Sequence, residues 1–163
     1  MKPRLIVVEG ADGVGKTFLC KKLAKQNNWF YIKTPPTCLL KTKCKNPREE
    51  LFRYLEGLML NAIVIRKRLN RGETVICDRY YLTLLVDLSL LRIKLDTSAL
   101  ENFLPKPNKI ILLEEDYETV ALRLKRKKKK SKLENKIIKD KQTYVNVVKL
   151  FTKKNKDYAK SLA

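Results

Sequence analysis

Histidine is absent from this sequence. Any chemistry must therefore proceed without imidazole, which excludes Ser-His-Asp and Cys-His nucleophilic catalysis. The four cysteines, Cys20, Cys38, Cys44 and Cys77, form no CxxC pair. A zinc site of the Cys/His kind is not expected from them, nor is a disulfide framework. Long hydrophobic runs are missing too. LTLLVDLSLL is broken by Asp87 and falls short of the roughly 18 apolar residues of a membrane span, so it reads as a buried helix. The first apolar segment is only a strand long and shows no leader pattern, and a soluble, cytoplasmic protein is expected. Acidic residues are few, 17 against 37 lysines and arginines, for a net charge of +20. Such a field suits nucleic acid, an anionic membrane surface or small polyphosphates, while a lysine-heavy composition also produces solvated basic faces with no ligand.

What the chain does contain points to a folded enzyme-sized unit. Its 163 residues are 44% hydrophobic, enough for one core and too few for two ordinary domains. One domain spanning 1–163 is expected. Residues 4–8 read as a short buried strand, and Leu19, Leu23 and Ala24 fall at helical spacing after Lys16. WFYIK, from Trp29, reads as a second strand. The proline-interrupted stretch TPPTCLLKTKCKNP reads as a loop, and Pro47-Arg48-Glu49-Glu50 opens a helix that runs to about Leu69. TVIC is a third strand, followed by a leucine-rich helix to about Lys94 and a short helix over 98–103. KIILL is a fourth strand. DYETVALRLKRKKKK then forms a helix that dissolves into lysines, and one last amphipathic helix carries Ile137, Tyr144, Val148 and Phe151. Strands alternating with helices imply an α/β fold: a parallel sheet with helices on both faces.

Glycine is concentrated where the first strand meets the first helix. Gly10-Ala11-Asp12-Gly13-Val14-Gly15-Lys16-Thr17 fits GxxxxGK[ST] without substitution. Glycines let the backbone turn its N–H groups around an anion, and the following helix adds its positive end. Lys16 can bridge outer phosphates, and the Thr17 hydroxyl can hold Mg²⁺. A second oxygen ligand is then needed at the end of a neighbouring strand, and Asp78 stands there; a helix cap is its alternative role. Arg79 follows at the same strand end, where ligands bind in open α/β sheets, and its planar fork suits a second phosphate.

These residues resemble the thymidylate kinase family of nucleoside-monophosphate kinases. EGADGVGKT is similar to that family's EGxDGxGKT loop, RGETVICDRYY to its RG turn, strand and DR-Tyr motif, and PKPNKIILL with the next helix to its PKPDLVIYLD strand and AL-R-KR helix. The resemblance implies a P-loop NTPase three-layer sandwich with ATP as donor, dTMP as acceptor, dTDP as product and Mg²⁺ as cofactor. It also implies homodimers packed through helices beside the sheet. By position, Asp12 would contact the acceptor's sugar 3′-hydroxyl, Arg79 its phosphate, and Asp78 the magnesium shell. Tyr80 joins the acceptor site as part of the DR-Tyr motif. Lys33, in Lys33-Thr34-Pro35, stands where the family has a phosphate-binding arginine. A basic lid over about 123–134 would supply the cation for the transferred phosphoryl group, with Arg126 first and Arg123 second, because Gly13 stands where other members carry a loop arginine.

The chain departs from the family in three places. The family's Phe-x-x-x-Arg signature is not clear in the mid-chain helix, where Phe52 or Tyr54 could stack on a base. A fifth strand and final helix are not expected. The lid is unusually rich in lysine. Three rival readings stand beside the kinase. A deoxynucleoside kinase would need a glutamate base after the second strand, where this chain has Thr34. A nucleotide-gated nucleic-acid binder would want aromatics interleaved with the basic run, which are lacking. A degraded kinase would bind nucleotide without turnover.

Overall fold

The computed structural model describes residues 2–41, 43–128 and 130–162. Thr42 in the proline-rich loop and Lys129 in the lid lie outside them. Its sheet has four parallel strands: β1 (Leu5–Glu9), β2 (Phe30–Lys33), β3 (Val75–Asp78) and β4 (Lys109–Leu112), in the order β2-β3-β1-β4. The two central strands, β1 and β3, are buried throughout. That is why LIVV and VIC are continuous rather than alternating apolar runs: a parallel sheet is covered on both faces.

The period of two nevertheless sorts the side chains. Ile6, Val8 and Ile76 point to one face, where they pack with Cys20, Leu19, Leu23 and Ala24 of α1 (Lys16–Asn27). Leu5, Val7, Val75 and Cys77 point to the other, under α2 (Pro47–Asn70), α3 (Tyr81–Leu90) and α7 (Lys141–Leu162). The result is the three-layer arrangement expected of the sequence. In register, Val8 and Lys33 both lie opposite Asp78, so three strand ends share one rim of the sheet.

Local chemistry sets the helix ends. Asn46 caps α2 by accepting the Glu49 amide at 3.0 Å, with Pro47 in the first turn. The leucine-rich helix stops at Leu90, short of the expected Lys94, because Arg92 turns left-handed at φ 55°. α4 (Ser98–Phe103) forms as expected. Beyond α5 (Tyr117–Arg126), the single amphipathic helix expected from the sequence is two: α6 (Lys132–Lys139) carries Ile137, and α7 carries Tyr144, Val148 and Phe151. Asp140 makes the break. It takes an extended conformation and accepts the amides of Gln142 and Thr143 at 2.9 and 3.1 Å, capping a new helix instead of continuing the old one.

One close approach positions the loop after β2. A Cβ at Gly57 of α2 would stand 2.6 Å from Pro35 Cβ, so only glycine lets the helix lie against Pro35 and Pro36. Asn61, one turn on, donates to the Lys33 carbonyl and the Thr34 hydroxyl at 2.9 and 3.0 Å.

Candidate active site: a phosphate loop facing Arg79

The loop between β1 and α1 is wrapped by the sheet and α5. Gly10 has φ 136°, and a Cβ there would meet the Leu113 carbonyl oxygen at 2.3 Å. A Cβ at Gly13 would press on Val120 and Leu124 at 3.0 and 3.1 Å, so α5 rests directly on the loop. Ala11 and Val14 fill the core side of the turn, each 3% exposed. Gly15, also left-handed, leads into α1. Lys16 is buried, and its ammonium donates to the Gly10 and Ala11 carbonyls at 2.8 and 2.6 Å. Burial and the nearby Arg79 charge together push its pKa down to about 8, against the pull of Asp12, Glu9 and Asp78. A buried ammonium held this reluctantly is primed for a compensating anion.

Thr17 Oγ1 donates to Asp78 Oδ2 at 2.5 Å, and the Tyr31 hydroxyl reaches the same oxygen at 3.2 Å. Asp78 is fully buried, yet its Oδ1 has no hydrogen-bond partner among the described residues. A buried carboxylate oxygen without a donor is costly unless something cationic meets it. Residues of this kind, all hard oxygen donors, fit a magnesium ion. The alternative role for Asp78, capping the following helix, is taken by another residue. Glu9, wholly buried at the end of β1, accepts the Tyr80 amide at 2.8 Å, the Thr83 amide at 3.3 Å and the Thr83 hydroxyl at 2.6 Å. Burial raises the Glu9 pKa, while those hydrogen bonds and Lys16 oppose the rise.

Arg79 sits in the left-handed region at φ 70°, an uncommon conformation for a residue with a side chain. Three bonds hold that turn: its amide donates to the Val8 carbonyl, the Cys77 thiol to its own carbonyl, and the Tyr54 hydroxyl to the Tyr80 carbonyl at 2.6 Å. The guanidinium pairs with Asp12 at the tip of the phosphate loop. Burial alone would raise the Asp12 pKa, but the charges of Arg79 and Lys16 outweigh it and hold the carboxyl far below the usual range. Asp87, two turns into α3, stands within the field of the same groups. Burial first, and then the carboxylates of Asp12, Glu9 and Glu50, push it up to about 7 against the pull of Arg79.

The structure thus brings together Asp12, Lys16, Thr17, Asp78 and Arg79. Arg123 joins them from α5, donating to the Gly13 carbonyl at 3.3 Å while pairing with Glu115 at 3.1 Å. Lys33 lies half-buried at the neighbouring strand end. Three expected residues are not gathered in. Tyr80 is buried in the core, its hydroxyl donating to the Pro105 carbonyl at 3.0 Å. Phe52 is 66% exposed on the outer side of α2, and Arg126 is exposed at the end of α5. Tyr54, the other aromatic considered for stacking, is a core residue that anchors the Arg79 turn. The sequence reading missed Tyr31, Asp87 and Lys127, whose charge is felt at Asp12.

The chain is similar to known proteins in sequence and in fold. The thymidylate kinase family model matches residues 8–160. A thymidylate kinase of Buchnera aphidicola is 33% identical over 102 residues, which cover 51% of this chain and 48% of that protein. A probable thymidylate kinase of Archaeoglobus fulgidus is 31% identical over 144 residues, 80% of this chain and 74% of that protein. Among solved structures, thymidylate kinase from Candida albicans superposes with a TM-score of 0.65 at 20% identity, over 93% of this chain and 77% of that one. Deoxyadenosine kinase from M. mycoides superposes with a TM-score of 0.64 at 15% identity, over 95% and 85%. At such identities the two superpositions show the fold alone. The family match extends over nearly all of the sequence, from the phosphate loop through α7, and the chain belongs to the thymidylate kinase family.

Proposed function

We propose that this chain is a nucleoside-monophosphate kinase, acting as a single unit over 1–163, that transfers the γ-phosphoryl group of ATP to dTMP. The observation that carries the reading is the Arg79–Asp12 pair at the tip of the phosphate loop. It puts a forked cation, with a carboxylate to orient it, opposite the place where a triphosphate tail would lie. A kinase with a neutral hydroxyl as acceptor has no acceptor phosphate for that second cation to seat.

Two anionic substrates repel, and the first task is to neutralise them. Lys16 and the loop amides would hold the donor's outer phosphates, Arg79 and Lys33 the acceptor phosphate, and Arg123 the donor side of the loop. Thr17 and Asp78 would hold Mg²⁺, which when bound supplies positive charge against the phosphate oxygens. Asp12, released from Arg79, would orient the acceptor's sugar hydroxyl. An acceptor phosphate oxygen forms the new bond to the γ-phosphorus as the bond to the bridging oxygen breaks, and ADP carries away the electron pair. That nucleophile is already largely ionised at neutral pH, with a second pKa of about 6. No strong base is required, in keeping with the absence of histidine.

The same consideration weighs against a nucleoside acceptor. Thr34, where a base would stand, is buried and bonded to Asn61, and Glu9 is committed to the α3 amides. With ATP, Mg²⁺ and a panel of nucleosides and nucleoside monophosphates, dTMP should give dTDP at the highest rate, and thymidine should react at least about 10²-fold more slowly, the discrimination a missing charged partner imposes. Faster reaction of thymidine would support a deoxynucleoside kinase; nucleotide binding without any turnover would mark a degraded one.

The reading places the protein in the cytoplasm with the nucleotide pools; no helix among the described residues is long and apolar enough to cross a membrane. It also takes the homodimer of the family as the working form. Phe52, Met59 and Ile63 leave an exposed apolar stripe along α2, at 66%, 45% and 57% exposure. Sedimentation should give twice the chain mass, and Ile63→Lys should halve it; a monomer at every concentration would contradict the dimer.

A further inference from the structure

Among the described residues of the lysine-rich segment between α5 and α6, Lys127 ties its side chain to α6. Lys127 follows α5 directly, its amide donating to the Leu124 carbonyl at 3.1 Å. Its ammonium donates to Glu134 Oε1 at 2.6 Å. Glu134 is only 3% exposed, although it is a carboxylate in a strongly solvated stretch. Its other oxygen accepts the Ser131 amide at 2.7 Å, and the Ser131 hydroxyl accepts the Glu134 amide at 3.1 Å. This is a complete capping box, and it fixes the first turn of α6. Ile137, one turn on and fully buried, anchors that helix to the core. Glu134 is thus held at the start of a helix anchored in the core, and it holds the ammonium of Lys127, whose side chain is otherwise half exposed.

An exposed ion pair ordinarily contributes little to stability and fixes nothing. Here one partner is almost wholly buried, and a buried carboxylate without its cation would be strongly unfavourable. The pair also stands close to the phosphate loop: Leu124, whose carbonyl accepts the Lys127 amide, would press on a Cβ at Gly13 at 3.1 Å, and the Lys127 charge adds to those of Arg79 and Lys16 in lowering the Asp12 carboxyl. Its neighbours are placed differently. Arg126 is exposed with no hydrogen bond or ion pair among the described residues, and Arg123 is engaged with Gly13 and Glu115.

We infer that Glu134 is a positioning residue that holds the Lys127 ammonium beside the phosphate loop, so that Lys127, rather than Arg126, is the lid cation that meets the transferred phosphoryl group. This rests on the kinase reading above. The transfer is the one already written; Lys127 adds charge to the phosphoryl oxygens and neither gains nor loses a proton.

Glu134→Gln separates the two roles of the carboxylate, because glutamine also completes a capping box while carrying no charge to hold a lysine. Its kcat should fall about 10- to 10²-fold, the range a misplaced catalytic group produces, with KM for the acceptor within about twofold. Lys127→Met should show the same fall, the double variant no more than either single one, and Arg126→Met a kcat close to wild type. Trypsin supplies a readout that needs no turnover: with a non-hydrolysable ATP analogue bound, cleavage between 125 and 132 should be about tenfold faster in Glu134→Gln at an unchanged melting temperature, as expected for a locally released segment. Wild-type kcat in Glu134→Gln, or a loss in Arg126→Met that Lys127→Met does not share, overturns the assignment. A wild-type chain that transfers nothing sinks the kinase reading instead; trypsin then decides the latch, and cleavage of Glu134→Gln at the wild-type rate overturns it.

Discussion

Lys16→Met lowers turnover by at least about 10²- to 10³-fold, the cost of removing one preorganised donor from a transition-state site, and does so without loss of fold stability. The two halves of that expectation come from the same geometry. The ammonium is buried against the Gly10 and Ala11 carbonyls beside another cation, and its pKa has fallen from 10.5 to about 8. A lysine with a lowered folded pKa disfavours folding while it stays charged. Wild-type stability should rise with pH between about 8 and 10.5, where the unfolded chain holds the proton and the folded one has lost it. Methionine keeps most of the methylene stem and removes the charge, so its melting temperature should match or exceed that of wild type below pH 8. Activity and stability then move apart, as they do where a site is built for a ligand at the expense of the fold. Parallel loss of both in calorimetry and assay would reduce Lys16 to a structural residue.

Arg79→Met should raise KM for the nucleoside monophosphate about 10²-fold, in the range for truncating one member of a desolvated charge pair, with KM for ATP within about threefold. Arg79→Lys should recover only part of the loss, since an ammonium restores the charge and not the fork. The backbone strengthens the case for a binding role. Arg79 occupies a left-handed conformation at φ 70° that glycine would adopt without strain, and three side-chain and main-chain bonds are spent holding it there. Arg79→Gly should therefore leave the melting temperature near wild type while showing the same acceptor defect. Initial-rate kinetics with each substrate varied separately reads both; a defect confined to ATP would remove Arg79 from the acceptor side.

The parts of this site that could be read from the sequence are those whose chemistry is local. GxxxxGK[ST] is contiguous because the loop, the lysine and the first turn of α1 must be consecutive to wrap an anion, and Asp78 with Arg79 is legible because both end one apolar strand. The helices were legible where caps and breakers stand next to the apolar period, as with Asn46 and Pro47 before α2. They were misread at Asp140, where a residue compatible with a helix surface caps the next helix instead. Residues that meet only after folding left no local signal. Glu9 reaches Thr83 across 74 positions, Tyr54 reaches the Tyr80 carbonyl across 26, and Tyr31 reaches Asp78 across 47. Lys127 was hidden among like charges, and only its partnership with a buried glutamate sets it apart. The capping-box spacing of Ser131 and Glu134 was the one available clue to it.

The central claim is that one hollow, walled by the phosphate loop and by Arg79, accommodates two nucleotides end to end. Calorimetric titration with adenosine and thymidine joined through a chain of five phosphates tests it without reliance on turnover. The account predicts one ligand per chain, displaced by either ATP or dTMP, with affinity lowered in both Lys16→Met and Arg79→Met. Absence of binding, or equal affinity in wild type and both variants, would contradict it.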